Sequence, residues 1–380
     1  MTPKDTTMRR SPLAAALAAV TVAVLAACAP AGAETGPTGS GGATSEPTLT
    51  TITDEVGRQV EVEIPVQRVA TAQQYPAEFV RAVGAGDRLV GVDRTTVAPE
   101  YDGYWPGVQT DTFTGETQEQ LNYDAIVALD PDVLLLNSNG AYEEAATKLE
   151  PFGIKVIVAT AWDPEKFVAN ITLLGRLFGT ETQATKILDT YQKYADLLTE
   201  RLEGVEPKTV YFENTEPDTT AVPGSGWDGI ITAGGGKNIF GDIVFGEGEH
   251  TQGNVHQTPV DPAEVVARDP EYVIRIGVDG VTFGYVPPSR DALVKLHDEL
   301  VARPGWSNLA AVKDDHVIVL NAFPLNGAAK QVGALFVAKW LHPELFEDLD
   351  PDQALREWVE VFQGAPFVPS EQYVQVGSAS

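Results

Sequence analysis

Few residues in this chain have the types and spacing that chemistry requires. Gly224-Ser-Gly-Trp-Asp-Gly229 fits the G-x-G-x-x-G pattern of dinucleotide loops. That motif needs a strand running straight into the turn, and here a segment with two prolines separates it from the strand pattern Thr209–Glu213, so it reads as a glycine-rich loop. Gly236-Lys237-Asn238 imitates a phosphate loop but lacks both the earlier glycine and the Ser or Thr after the lysine. His250 and His256, with Glu247 and Glu249 nearby, offer imidazole and carboxylate ligands for a transition metal, the weaker alternative to solvated loop residues. Ser225 is not in a G-x-S-x-G elbow. No catalytic residue, cofactor site or resident metal is expected.

More informative are aromatic and arginine side chains just beyond strand-like runs, because open α/β sheets bind ligands at the carboxyl ends of their strands. Tyr75 follows Arg68–Ala72, Arg94 follows Leu89–Val92, Trp162 follows Lys155–Ala159, and Arg275 ends Tyr272–Ile276. Tyr101, Tyr104, Trp105, Trp227, Tyr285 and Phe323 lie in adjacent loops. The expected ligand-binding set is Tyr75, Arg94, Tyr104, Trp162, Trp227, Arg275, Tyr285 and Phe323, with the rings stacking on a planar ligand and the two arginines pairing with its anionic oxygens.

Two similar halves must position these residues. Asn122–Leu136 reads as a capped short helix, an Asp-Pro turn and a buried strand, and Asp261–Arg275 repeats it at a constant offset of 139 residues. Each half also has a glycine-rich helix exit, Gly84–Arg88 and Gly234–Asn238, and a late buried strand, Lys155–Ala159 and His316–Leu320. The pattern predicts an α/β protein with two similar lobes, each with a parallel sheet. Between them Ala184, Ile187, Leu188, Tyr191, Ala195, Leu198 and Leu202 form the stripe of one long amphipathic helix over Thr180–Leu202, with Thr180 and Gln183 as a capping box. At 1.5 Å per residue it spans roughly 35 Å, a stiff connector.

The first residues carry Lys4, Arg9 and Arg10 ahead of an uncharged run Leu13–Leu25, the layout of an export signal, whether translation starts at Met1 or Met8. Leu25-Ala26-Ala27-Cys28 resembles the lipobox of bacterial lipoproteins, which implies cleavage before Cys28 and a lipid on its thiol. This is the only cysteine among 380 residues, so no disulfide framework exists. The expected organisation is a signal at 1–27, a flexible tether at 28–48, a first lobe at 49–179, the connecting helix at 180–204, and a second lobe with terminal helices at 205–380. A formal charge of −28, or −30 without residues 1–27, argues against a nucleic-acid partner.

Taken in order, Asp54–Val60 with Pro65–Val69, Gly84–Val92, Asn122–Leu136, Gly153–Val156, Asp261–Ile276 and Arg303–Ser307 through Asn321 resemble the substrate-binding proteins of ABC importers for ferric siderophores, haem and cobalamin. The resemblance covers about residues 50–365 and implies two lobes joined by a helix, no enzymatic activity, and a monomer lipid-anchored outside the cytoplasmic membrane. The implied partners are an ABC permease with its ATPase and a small iron chelate, with haem or cobalamin as alternatives. Rival readings are a metal-ion-binding protein and a secreted hydrolase. By the same resemblance Asp124 stands where a first-lobe carboxylate docks on the permease; the matching second-lobe position is Ala263, with Glu264 one place later.

Overall fold

The computed structural model describes residues 47–108, 111–138, 140–159, 166–246, 252–326 and 330–378. The expected signal, Cys28 and nearly all of the tether lie outside them, as do Trp162 and His250.

An antiparallel hairpin, β1 (Thr48–Thr53) and β2 (Gln59–Ile64), leads into the first sheet. That sheet comprises β3 (Val69–Thr71), β4 (Leu89–Gly91), β5 (Val133–Leu136) and β6 (Lys155–Val158), all parallel in the order β4-β3-β5-β6. Every residue of β3 and β5 is buried, as strands covered on both faces require. Helices α1 (Gln74–Ala82), α2 (Tyr123–Leu129), α3 (Tyr142–Leu149) and α4 (Phe167–Phe178) accompany the sheet. The expected cap of α2 is present, with Asn122 Oδ1 accepting from the Ala125 N–H at 3.1 Å.

α5 (Glu181–Leu202) follows α4 after the left-handed Gly179. Ala184, Ile187, Tyr191 and Leu198 are its buried stripe, whereas Ala195 faces solvent. Gly175 of α4 lets the two helices close up, since a Cβ there would stand 2.5 Å from Cβ of Ala184. The capping box is not formed: Thr180 Oγ1 has no partner, and the Gln183 side chain instead donates to the carbonyl of Ala82 at 3.2 Å.

The second sheet contains β7 (Lys208–Glu213), β8 (Gly236–Asn238), β9 (Tyr272–Ile276), β10 (Val317–Leu320) and β11 (Val374–Val376) in the order β8-β7-β9-β10-β11. Only the C-terminal β11 is antiparallel. Around it lie α6 (Gly226–Ala233), α7 (Pro262–Arg268), α8 (Arg290–Val301), α9 (Lys330–Leu341) and α10 (Pro351–Arg356). Asp261 caps α7 through the Ala263 N–H at 2.9 Å, but Glu264 turns away to Arg268 at 3.5 Å rather than back to the cap.

The lobes share a hydrophobic core. Val133 and Ile157 of the first sheet, Tyr191 of α5, and Phe212 and Ile276 of the second belong to one buried cluster. At its centre the Phe167 ring meets Tyr191 edge-on at 4.8 Å, and Trp358 lies 6.4 Å from Tyr191 and 6.2 Å from Phe79. Among the described residues no helix is long and apolar enough to cross a membrane.

Candidate ligand-binding cleft

The carboxyl ends of the parallel strands deliver loops that meet between the lobes. After β3 comes Gln73-Gln74-Tyr75, and after β10 comes Asn321–Asn326; the Tyr75 hydroxyl donates to Asn326 Oδ1 at 2.7 Å. A second junction joins the Val286 N–H to the Glu100 carbonyl at 2.9 Å. Burial, then the nearby charge of Glu78, pushes the Tyr75 phenol well above its ordinary range, so it remains a donor at neutral pH.

The first wall is built from neutral amides. Gln73 holds φ at +78°, a left-handed backbone unusual for a residue with a side chain. Its Oε1 accepts from the Tyr75 N–H at 2.8 Å and from Asn137 Nδ2 at 3.0 Å. Asn137 follows β5 directly, and its Nδ2 also reaches Gln118 Oε1 at 3.2 Å. The second wall carries Ser225, whose Oγ caps α6 through the Trp227 N–H and lies 2.6 Å from His256 Nδ1. The His256 carbonyl accepts from Asn214 Nδ2 at 2.7 Å. Asn321 Oδ1 orders its own loop and the neighbouring one, accepting from the N–H groups of Phe323 and Gly284 at 3.0 and 3.1 Å.

The structure distributes the expected residues differently. Tyr75 lies on the cleft, and Arg94 on its rim, exposed, paired with Glu116 at 3.0 Å and placed over the Phe113 ring. Tyr104, Tyr285 and Phe323 are buried. They form one buried aromatic cluster with centroids 5.1–5.5 Å apart, because each polar tip finds a partner inside: Tyr104 donates to Glu78 at 2.8 Å and Tyr285 to the Pro366 carbonyl at 2.5 Å. Trp227 is likewise buried, stacked on Phe212 at 5.5 Å with the Lys330 ammonium over its ring. Trp162 lies outside the described residues.

Arg275 is the largest departure. It is 5% exposed and serves an internal charge group. Its partner Glu213, wholly buried and its register mate on β7, is 3.5 Å away and also accepts two bonds from Arg303 at 2.6 and 2.8 Å. Arg275 further donates to the carbonyls of Thr215 and Glu216, and burial lowers its pKa despite Glu213. Its terminal nitrogens hold the loop at Thr215 and Glu216, and its Nε has no partner among the described residues.

His250 lies outside the described residues, and among those described no group of three or more His, Cys, Asp or Glu is placed to hold a metal ion. Asp124 is exposed in the first turn of α2, and Glu264 is exposed beside Arg268. Gln73, Gln118, Asn137 and Asn326 escaped the sequence reading. For Asn137 the available signal was an amide side chain standing directly after a buried strand, and for Gln73 one residue further on.

Two parallel sheets, one long helix between them and loops from strand ends meeting across a cleft define a two-lobed solute-binding protein. A family model described as "Periplasmic binding protein" matches residues 69–323. The chain belongs to that family. It is 23% identical over 269 residues to the vitamin B12-binding protein of Vibrio parahaemolyticus, covering 69% of this chain and 84% of that one. To the molybdate-binding protein MolA of Haemophilus influenzae it is 21% identical over 351 residues, 84% and 92% of the two chains. The crystal structure of the TroA-like periplasmic binding protein FepB from Veillonella parvula superposes with a TM-score of 0.69 at 20% identity, covering 87% of this chain and all of that one. The protein is thus the extracytoplasmic solute-binding component of an ABC importer, and not an enzyme.

Proposed function

We propose that the cargo is an uncharged metal chelate of the corrinoid or ferric hydroxamate kind. The observation that carries this is Arg275, a cation at the carboxyl end of the second sheet whose terminal nitrogens are engaged by Glu213 and two carbonyls, while its Nε has no partner among the described residues. Arg94 is likewise paired, with Glu116. The walls offer amides and hydroxyls, which suit a rim of amides or hydroxamates, and the strongly negative chain repels an anionic chelate. The relative named for vitamin B12 supports the same class.

Titration of intrinsic fluorescence with cyanocobalamin, ferrichrome and ferric citrate tests the reading. Binding of either of the first two and none of ferric citrate is expected. A preference for ferric citrate overturns it.

The same reading has a lipid on Cys28 tethering a monomer to the outer face of the membrane, with lobes at 49–179 and 205–380 and the connector at 180–204. Asp124 and Glu264 then serve as the permease-facing carboxylates. Replacing Cys28 with alanine should move the protein out of the membrane fraction or leave it unprocessed; a cleaved, membrane-bound variant overturns the anchor.

A further inference from the structure

Among the described residues, two buried side-chain atoms at the carboxyl end of the first sheet have no hydrogen-bond partner, Thr71 Oγ1 and Asn137 Oδ1, and the second stands beside the amide frame of the cleft. Asn137 is 2% exposed, and its Oδ1 has no hydrogen-bond partner. Which end of this amide is the oxygen follows from its neighbours. The backbone N–H of Tyr75 can only donate, so the Gln73 atom that receives it is an acceptor; the Asn137 atom facing that same acceptor must then be the nitrogen. Gln118 Oε1, 3.2 Å from the same nitrogen, agrees. The oxygen is the atom left over.

Leaving a buried carbonyl oxygen unpaired is unfavourable, and so is holding Gln73 at φ +78° to frame it. Neither feature is needed to build the sheet: β5 ends at Leu136, and Gln73 is the residue just before α1. Both stand at the carboxyl ends of neighbouring parallel strands. Their frame also carries Tyr75, whose hydroxyl joins the lobes at Asn326.

Building on the uncharged-chelate reading, we propose that Asn137 Oδ1 is an acceptor subsite that takes an N–H of the cargo, from a primary or secondary amide or an ammonium group. In this structure the oxygen is covered. Parting Tyr75 from Asn326 loosens the loop that Gln73 holds and lets the donor in. The subsite selects against chelates whose rim offers only oxygen acceptors, because these leave the asparagine oxygen unpaired.

The test titrates wild type, Asn137→Leu and Asn137→Ala with cyanocobalamin and ferrichrome, both uncharged and rich in N–H, and with ferric citrate, which has none, alongside thermal unfolding of each protein. Both variants should bind the N–H-bearing chelate about tenfold or more weakly than wild type, with at least one variant melting within about 4 °C of it. Equal affinity in wild type and variants overturns this inference and leaves the uncharged-chelate reading standing. Lost binding together with a collapse of the melting temperature in both variants makes Asn137 structural and also overturns the inference. Wild-type binding of ferric citrate alone, or of none of the three, overturns both.

Discussion

The Tyr75 hydroxyl donates to Asn326 Oδ1 at 2.7 Å, linking the loop after the third strand of the chain to a loop 251 residues later on the opposite lobe. Both residues leave the carboxyl ends of parallel strands, so this bond marks where the two sheets converge. It is a neutral, part-buried pair.

Tyr75→Phe should therefore cost about 1–2 kcal/mol, since the largely buried Asn326 oxygen loses its donor. Adding Asn326→Leu removes the orphaned acceptor and should recover part of that loss. Urea denaturation of the two singles and the double variant measures the coupling. Additive losses would mean that the bond contributes nothing across the cleft.

A second prediction concerns the buried charges. Glu213→Gln leaves Arg275 and Arg303 beside one another without their shared carboxylate. Removing one member of a buried ionic group costs about 3–5 kcal/mol, and the partial exposure of Arg303 places the expectation at the lower end. The denaturation midpoint should fall clearly. An unchanged midpoint would show that water already screens the group.

The same residues explain what was legible in the sequence. The repeated helix, Asp-Pro turn and buried strand was readable because it depends on local periodicity, and α5 begins one residue from its expected start. The pairing of Arg275 was not legible because its partner Glu213 sits on β7, over 60 positions earlier, and strand order is not local information. The burial of Tyr104, Trp227, Tyr285 and Phe323 was not legible because a loop position does not reveal it, and a tyrosine whose hydroxyl finds Glu78 or a carbonyl is as acceptable in a core as on a surface. Gln73 and Asn137 went unnoticed because amides carry no charge or periodic signal; only their place one or two residues after buried strands marks them.

Alkaline pH should unfold the protein steeply. Burial raises the phenols of Tyr75, Tyr101, Tyr104, Tyr191, Tyr211 and Tyr373, and pushes Tyr194, aided by Glu357, up to about 12. A group raised in the folded state favours folding fully below its unfolded value, near 10 for tyrosine, and loses that contribution as pH climbs toward the folded value. These groups should leave the melting temperature unaffected from neutrality to about pH 9 and drive a sharp fall beyond pH 10, with several phenols ionising together on unfolding. Gradual, independent ionisation in the folded protein would contradict the buried assignments.

Exposed Asp124 offers a separation of roles. Asp124→Lys should leave cargo affinity unchanged while weakening stimulation of the transporter ATPase in proteoliposomes, because a rim charge acts on association. The substitution also sets a cation in the first turn of α2, at a cost of about 0.3–1 kcal/mol. Lost cargo binding would assign Asp124 to the cleft instead.

The shared core predicts how the lobes move. Tyr191 stands on α5 between them, its ring 4.8 Å from Phe167 of the first lobe and 6.4 Å from Trp358 near the C-terminus. Bending the molecule widely would require these aromatic contacts to part, which removes close packing without giving new partners. Cargo binding should therefore change the solution-scattering profile only slightly, and both lobes should melt in one calorimetric transition. Tyr191→Ala opens a cavity at this centre, with an expected loss of about 3–5 kcal/mol by analogy with other large aromatic truncations. If the lobes depend on it jointly, the variant still melts once, at a lower temperature. If each lobe instead carries its own stability, the variant shows two transitions and a larger scattering change with cargo, and the connecting helix is then a hinge rather than a strut.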